Sequence, residues 1–253
     1  MLGTESAIVG RGKASSVWSD AIVCGQREED NAMRNIRIER RTFLKGTAGM
    51  AAGLLAGGAL AAEKKDAAGA KDAGGKDWTP LFNGKDLTGW KPEGKAVWTV
   101  VDGCLVGVQG PNAAPGDLFT EKEFGDFEVR VTYKIQWPAN SGVWFRYQSP
   151  DKAYQADILE YKDPVAYSGT IYCPAKMFLA INKDPKLEKK DDWNTILIRA
   201  QGDHLVVTLN DVVTGDVHEA SYAKGKIGFQ IHPGNEFKTM KITVREVAIK
   251  PLV

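Results

Sequence analysis

From Phe127 onward the chain alternates apolar and polar positions, with Phe127, Val129, Val131, Tyr133, Ile135 and Trp137 set against Glu128, Arg130, Thr132, Lys134 and Gln136. Successive side chains of an extended strand point to opposite faces, so this run predicts a strand with one buried and one wet side. The same period predicts strands at Trp98–Val101, Cys104–Val108, Gly142–Gln148, Tyr154–Leu159, Thr170–Cys173, Thr195–Ala200, His204–Leu209, Lys226–His232 and Thr239–Ile249. No long segment has helical spacing. Asp102-Gly103, Gln201-Gly202-Asp203 and Asn210-Asp211 carry the short polar chemistry of hairpin turns. Near the C-terminal end, Ile242 and Val244 keep one phase while Val247 and Ile249 keep the other, so a bulge is expected at Arg245-Glu246. Many short strands with regular turns and no internal repeat predict an all-β fold, an antiparallel β-sandwich of jelly-roll type.

Composition narrows the partners. Lys plus Arg number 33 against 32 Asp plus Glu, a formal charge of +1, so no basic field exists to hold phosphate backbones and nucleic acid is excluded as a partner. Hydrophobic residues make up 43% of the 253-residue chain, enough for a real core. The three Cys lack C-x-x-C spacing, so neither a zinc cluster nor a redox pair is indicated. Cys104 and Cys173 fall in the sandwich region and would be the pair to join in an oxidising compartment.

The front of the chain reads as an address. Residues 33–62 hold a basic start, Arg40-Arg41-Thr42-Phe43-Leu44-Lys45, and a Gly/Ala/Leu run ending in Ala59-Leu60-Ala61, the layout of a twin-arginine-type signal cleaved after Ala61. The run from Gly46 is too short and glycine-rich for a membrane span, so none is expected after cleavage, and the protein is expected to be exported to the periplasm or beyond. Residues 1–32 have no role in that scheme; translation starting at Met33 is the expectation. Residues 63–77 are rich in Lys, Asp, Ala and Gly and read as a flexible linker before the domain at 78–253.

Three strands carry a distinctive second face. Trp144 and Arg146 alternate with Val143, Phe145 and Tyr147; Gln155 and Asp157 oppose Tyr154, Ala156 and Ile158; Gln230 and His232 oppose Ile227, Phe229 and Ile231. If the strands are neighbours, these groups gather on one surface, combining ring-stacking area with planar hydrogen-bonding groups that suit sugar hydroxyls. A plain solvated face would favour Lys, Glu and Thr, as in Phe127–Trp137. The stretch Gln155-Ala156-Asp157-Ile158-Leu159-Glu160 is similar to the E-x-D-x-x-E strand of retaining β-glucanases, with an amide in place of the first acid. Since that chemistry needs a carboxylate nucleophile about 5 Å from an acid, ordinary double displacement is disfavoured. Asp157 and Glu160 remain as a carboxylate pair whose pKa values burial would push apart. His204 and His218 fall in turn-like contexts and read as solvated.

The motifs Leu81-Phe82-Asn83-Gly84-Lys85-Asp86-Leu87-Thr88-Gly89-Trp90, Asn140-Ser141-Gly142, Tyr154-Gln155-Ala156-Asp157-Ile158, Trp193-Asn194 and Gly228-Phe229-Gln230-Ile231-His232, in this order, resemble the 3-keto-disaccharide hydrolase domain family. The resemblance covers Trp78 to Leu252. It implies a concanavalin A-like jelly roll, an exported protein and action on a 3-keto-glucoside or 3-keto-disaccharide. Many members carry Glu at the position of Gln155 and Gln at that of Asp157; others have the Gln-Ala-Asp version seen here. The Asn83–Leu87 loop, a family marker, reads as a turn tying the first strand to the last.

A ketone at C3 acidifies the C2 proton, so a base can remove it while an acid assists departure of the C1 oxygen, with water adding afterwards. No carboxylate nucleophile is needed. On this reading Asp157 or His232 is the base, Glu160 the acid, Arg146 or Tyr172 the stabiliser of the enolate oxygen and Trp144 the stacking platform, with Gln155, Gln230 and Asn140 binding hydroxyls. No cofactor is required; a divalent metal ion held by Asp157, Glu160 and His232 is the alternative way to polarise the ketone. Two rival readings use the same fold: a non-catalytic carbohydrate-binding module and a laminin-G-like scaffold.

Overall fold

The computed structural model describes residues 77–252. The upstream extension, the signal and residues 63–76 of the linker lie outside the described residues. In chain order the strands are β1 (Thr79–Pro80), β2 (Trp90–Gly94), β3 (Val97–Val101), β4 (Cys104–Val108), β5 (Gly116–Thr120), β6 (Phe127–Ile135), β7 (Asn140–Ser149), β8 (Lys152–Lys162), β9 (Val165–Cys173), β10 (Met177–Asn182), β11 (Asn194–Gln201), β12 (His204–Leu209), β13 (Val212–His218), β14 (Lys226–Ile231) and β15 (Lys241–Pro251). Among the described residues, helical structure is confined to two short 3-10 turns, and no helix is long and apolar enough to cross a membrane.

The strands form two antiparallel sheets, the all-β sandwich of jelly-roll type that the alternation predicts, in the concanavalin A-like form that the family resemblance implies. The first runs β13-β12-β11-β6-β15-β4-β3, with β1 added against the far half of β15; the second runs β10-β9-β8-β7-β14-β5-β2. Their facing sides make one core. Phe127, Val129, Val131, Tyr133, Ile196, Ile198, Leu205 and Val207 from the first sheet meet Leu118, Val143, Phe145, Tyr154, Ile158, Ile171, Phe229 and Ile231 from the second, all of them fully buried. Each such aliphatic or aromatic side chain contributes about 1.5–3 kcal/mol by leaving water.

Local chemistry explains the joints. Asp102 and Gly103 both have positive φ, as do Asn210 and Asp211, the conformation of two-residue hairpin turns that match strand twist. The register of β15 against β6 slips between Val244 and Glu246, which lets Ile242, Val244, Val247 and Ile249 all reach the core. The Asn83–Leu87 loop is a self-capped turn: Asn83 Oδ1 accepts from the Lys85 and Asp86 amides, and Asp86 Oδ1 accepts from Asn83 Nδ2 and the Thr88 amide. Leu81 N then donates to Val247 O and Trp90 Nε1 to Leu81 O, so the loop does tie the first strand to the last. Cys173, at the end of β9, is a free and buried thiol, so the Cys104–Cys173 pairing expected in an oxidising compartment is not formed. Its surroundings are the apolar core, and burial pushes the thiol pKa up.

Candidate functional site

The outward sides of the two sheets differ in chemistry. On the first sheet Glu128, Arg130, Arg199, Glu246 and Lys250 form a charged surface, with Arg130 Nη2 2.6 Å from Glu246 Oε1 and Arg199 Nη1 3.2 Å from Glu128 Oε1. That is an ordinary solvated face. On the second sheet, cross-strand register aligns aromatic, amide and acidic side chains instead, because directly opposed residues share a face.

One row places Glu93 opposite Asp117, Asp117 opposite Gln230, Gln230 opposite Gly142 and Gly142 opposite Asp157. The next places Phe119 opposite Gly228, Gly228 opposite Trp144, Trp144 opposite Gln155 and Gln155 opposite Tyr172. The glycines shape the surface. A Cβ on Gly142 would stand 2.6 Å from the Gln155 side chain, and one on Gly228 would stand 2.3 Å from the Phe119 ring. Their absence lets Gln155 lie across β7 and donate from Nε2 to Gln230 Oε1 at 3.3 Å. Phe119 stacks on Tyr147 with ring centroids 3.9 Å apart, and Trp144 packs beside Tyr147 at 5.9 Å.

Three carboxyl groups stand in the first row, Glu93 and Asp117 toward one end and Asp157 at the other. Asp157 is 2% exposed and its Oδ2 has no hydrogen-bond partner. Burial alone holds its carboxyl well above the usual range, which favours the protonated acid. Asp117 is half-buried and accepts a 2.9 Å hydrogen bond from Trp144 Nε1. Burial raises its pKa to about 6 against the lowering effect of Trp144, with a smaller upward push from Glu93, so it is mostly ionised at pH 7. Tyr172 lies near Asp157; burial first, then that carboxyl, pushes its hydroxyl above the ordinary value.

Trp144, Gln155, Asp157, Tyr172 and Gln230 are thus brought together, with Asn140 and His232 farther along the same face. Asn140 opposes Leu159, and His232 follows the last residue of β14. With strands about 4.8 Å apart and about 3.4 Å per residue, His232 lies roughly 12 Å from Asp157 at Cα. Its Nδ1 donates to Pro233 O at 2.7 Å, which leaves Nε2 open.

Two expected residues are elsewhere. Arg146 has a positive φ of 49° and sits in a bulge of β7, so its side chain turns to the end of the sandwich instead of joining Trp144. There it is fully buried. Its Nε donates to Gly125 O, Nη1 to Gly202 O and Tyr222 O, and Nη2 to Asp126 Oδ1 at 2.9 Å. Arg146 therefore cannot stabilise an enolate on this face. Glu160 stands three residues after Asp157 on one strand, so it points the other way. It is exposed, ion-paired to Lys190, and borders a pocket with room for about one water, lined also by Trp137, Ser168 and Glu188. The expected Asp157–Glu160 pair and the Asp157–Glu160–His232 metal set accordingly do not converge. Among the described residues no three His, Cys, Asp or Glu side chains are grouped to hold an ion.

The alternation does not single out three residues of this face. Asp117 and Phe119 belong to β5, whose five residues do alternate, Asp117 and Phe119 against Leu118, a signal too short to single out. Tyr147 reaches the face only because the bulge at Arg146 reverses its phase.

Residues 77–250 match the family described as the 3-keto-alpha-glucoside-1,2-lyase-like domain. A stretch of 92 residues is 33% identical to a 3-keto-disaccharide hydrolase of Bacteroides thetaiotaomicron, covering 32% of this chain and 31% of that protein; the matched part thus spans about a third of the relative. Among solved structures, a candidate glycosyl hydrolase from Parabacteroides distasonis superposes with a TM-score of 0.54 at 22% identity, over 69% of this chain and 99% of that one. A protein of unknown function with a galectin-like fold from Bacillus subtilis gives 0.56 at 16% identity, over 69% and 94%. The metal-free carbohydrate recognition domain of Emp46p gives 0.52 at 12% identity, over 69% and 96%. At these identities the superpositions show the fold.

Proposed function

Because the chain belongs to the 3-keto-alpha-glucoside-1,2-lyase-like family, a family of carbohydrate-active, hydrolase-like proteins, we propose that its second sheet binds a 3-keto-glycoside and cleaves it by elimination and hydration. The observation that carries this reading is Asp157, a buried carboxyl without a partner on one oxygen, beside the linked amides of Gln155 and Gln230. A buried polar atom left unmatched is costly unless a ligand or water completes it.

In this mechanism the sugar lies along the row from Asp117 to Asp157, about 14 Å apart at Cα by strand spacing, a span wider than one ring that leaves room for a bridging water on the Asp117 side. Ionised Asp117 takes the C2 proton, acidified by the C3 ketone, through that water. The electron pair forms the C1=C2 double bond as the C1–O bond breaks, and neutral Asp157 gives its proton to the departing oxygen. Water then adds its hydroxyl to C1 as its proton passes to Asp157, and Asp117 returns its proton to C2, releasing the 3-keto sugar with both carboxyls reset. Gln155 and Gln230 hold hydroxyl groups, Tyr172 donates toward the enolate oxygen, and Trp144 fixes Asp117 through its indole N–H. The twin-arginine reading of Arg40-Arg41 makes this an exported protein; a secreted form starting at Ala62 is its expected mark.

The test is turnover of a 3-keto-disaccharide by the full chain and by Asp157→Asn, with circular dichroism to check the fold. Asp157→Asn should lower kcat at least 100-fold while binding persists, within the range of acid–base catalysis. Unchanged turnover in the variant rejects the mechanism, and binding without turnover in the unsubstituted chain favours a carbohydrate-binding module.

A further inference from the structure

The second row of the outward face does not end at Tyr172. Phe178 on β10 lies opposite Tyr172 and so extends the row by one strand, to the edge of the sheet. Its ring meets two tyrosines edge-on: Tyr172 with centroids 6.0 Å apart at 66°, and Tyr161, near the end of β8, at 5.4 Å and 83°. The three rings therefore line a corner, not a single flat plate. Tyr161 keeps 39% of its surface exposed and Phe178 is half-buried, and neither belongs to the core between the sheets. Tyr172 joins this corner to the acid, since burial first, then Asp157 and more weakly Tyr161, push its hydroxyl above the ordinary value. By strand spacing, Phe178 stands two strands and two residues from Asp157, about 12 Å at Cα.

We propose that Tyr161 and Phe178, together with Tyr172, form the subsite for the sugar ring that departs when the C1–O bond breaks, so that disaccharides are preferred over simple alkyl glycosides; the inference rests on the elimination reading above. The position of the proton donor gives the direction. Asp157 protonates the departing oxygen, so the leaving group lies on the Asp157 side of the reacting ring, and away from Asp117 the sheet continues from β8 through β9 to β10. What the leaving group meets there is aromatic. A sugar ring has an apolar C–H face and a rim of hydroxyls: an aromatic ring covers the first, and the two phenol hydroxyls can bond the second. Another strand is a poor occupant for this edge. The pairing of β10 with β9 shifts register twice, between Phe178 and Ala180 and between Ala180 and Asn182, and such irregularity turns an edge away from pairing with a second chain.

Turnover of a 3-keto-disaccharide and of methyl 3-keto-glucoside by the full chain, by Phe178→Ala and by Tyr161→Ala tests it, with circular dichroism to check folding. Each substitution should lower kcat/KM for the disaccharide about 5- to 10-fold, chiefly by raising KM, and leave the methyl glycoside within about 2-fold. Phe178→Tyr keeps a ring and should retain the parent's preference for the disaccharide. Equal losses on both substrates, or no loss on the disaccharide, overturn the subsite and leave the elimination reading in place. No turnover of either substrate by the unsubstituted chain overturns that reading, and the subsite with it.

Discussion

Arg146→Ala separates a structural from a catalytic role for a residue whose sequence context suggests the latter. The guanidinium is fully buried, donates to three backbone carbonyls and pairs with Asp126, which is itself 40% exposed at its side chain. Removing it strands the carbonyls of Gly125, Gly202 and Tyr222 and leaves a void where the loop before β6 meets the β11–β12 turn. Breaking a buried pair by deleting one partner costs about 3–5 kcal/mol. Solvent screening at Asp126 discounts the ionic part, so the lower end, about 3 kcal/mol, is expected. For a domain of this size that is roughly 6–12 °C in Tm. Arg146→Lys keeps the charge but not the planar fork, and should cost about 1–2 kcal/mol. The assay is urea unfolding followed by tryptophan fluorescence, paired with turnover at a temperature where each variant is folded. A loss of stability under 1 kcal/mol, or a kcat lost in the lysine variant with stability intact, would refute the assignment.

Two further outcomes follow from the site. Since Asp117 has a folded pKa of about 6, raised from 3.8, the folded state holds its proton more tightly than the unfolded chain; its contribution to stability therefore falls as pH rises from about 4 to about 6. Asp117→Asn should accordingly gain roughly 1–3 kcal/mol at pH 7, read by denaturant unfolding, and should remove a rise in turnover through pH 6; a variant no more stable than the parent at pH 7 contradicts the burial argument. Gly142→Ala drives a methyl into Gln155, at 2.6 Å, and should raise KM for the keto sugar while costing about 1–3 kcal/mol; an unchanged KM removes the amide pair from the binding surface.

Much of the sandwich is legible in the chain alone, and the gaps have a shared cause. The half-buried strands β6, β11 and β12 alternate cleanly because one face meets the core and the other meets water, whereas β7 and β8 alternate in residue type although both of their faces are largely buried. The strands that escape the pattern are β1, β2, β5, β10 and β13; β2, β10 and β13 lie at sheet edges and β5 is only five residues long. Edge residues such as Val212 and Val213 stay exposed, so burial imposes no alternation on them. Separation of Asp157 from Glu160 was also readable, since residues three apart on a strand face opposite ways.

The period-two pattern by itself determined the all-β class, the hairpin turns, the slip at Glu246 and, strand by strand, which side Trp144, Gln155, Asp157 and Gln230 take. Those are consequences of local geometry repeated along one strand or turn. That β7, β8 and β14 lie side by side came from the fold. Only the tertiary structure decided that Arg146 plugs the sandwich end and that Asp117 joins the acid row from β5. Each of these depends on which strands become neighbours and in what register, and that is set by the packing of the whole core, not by any one segment.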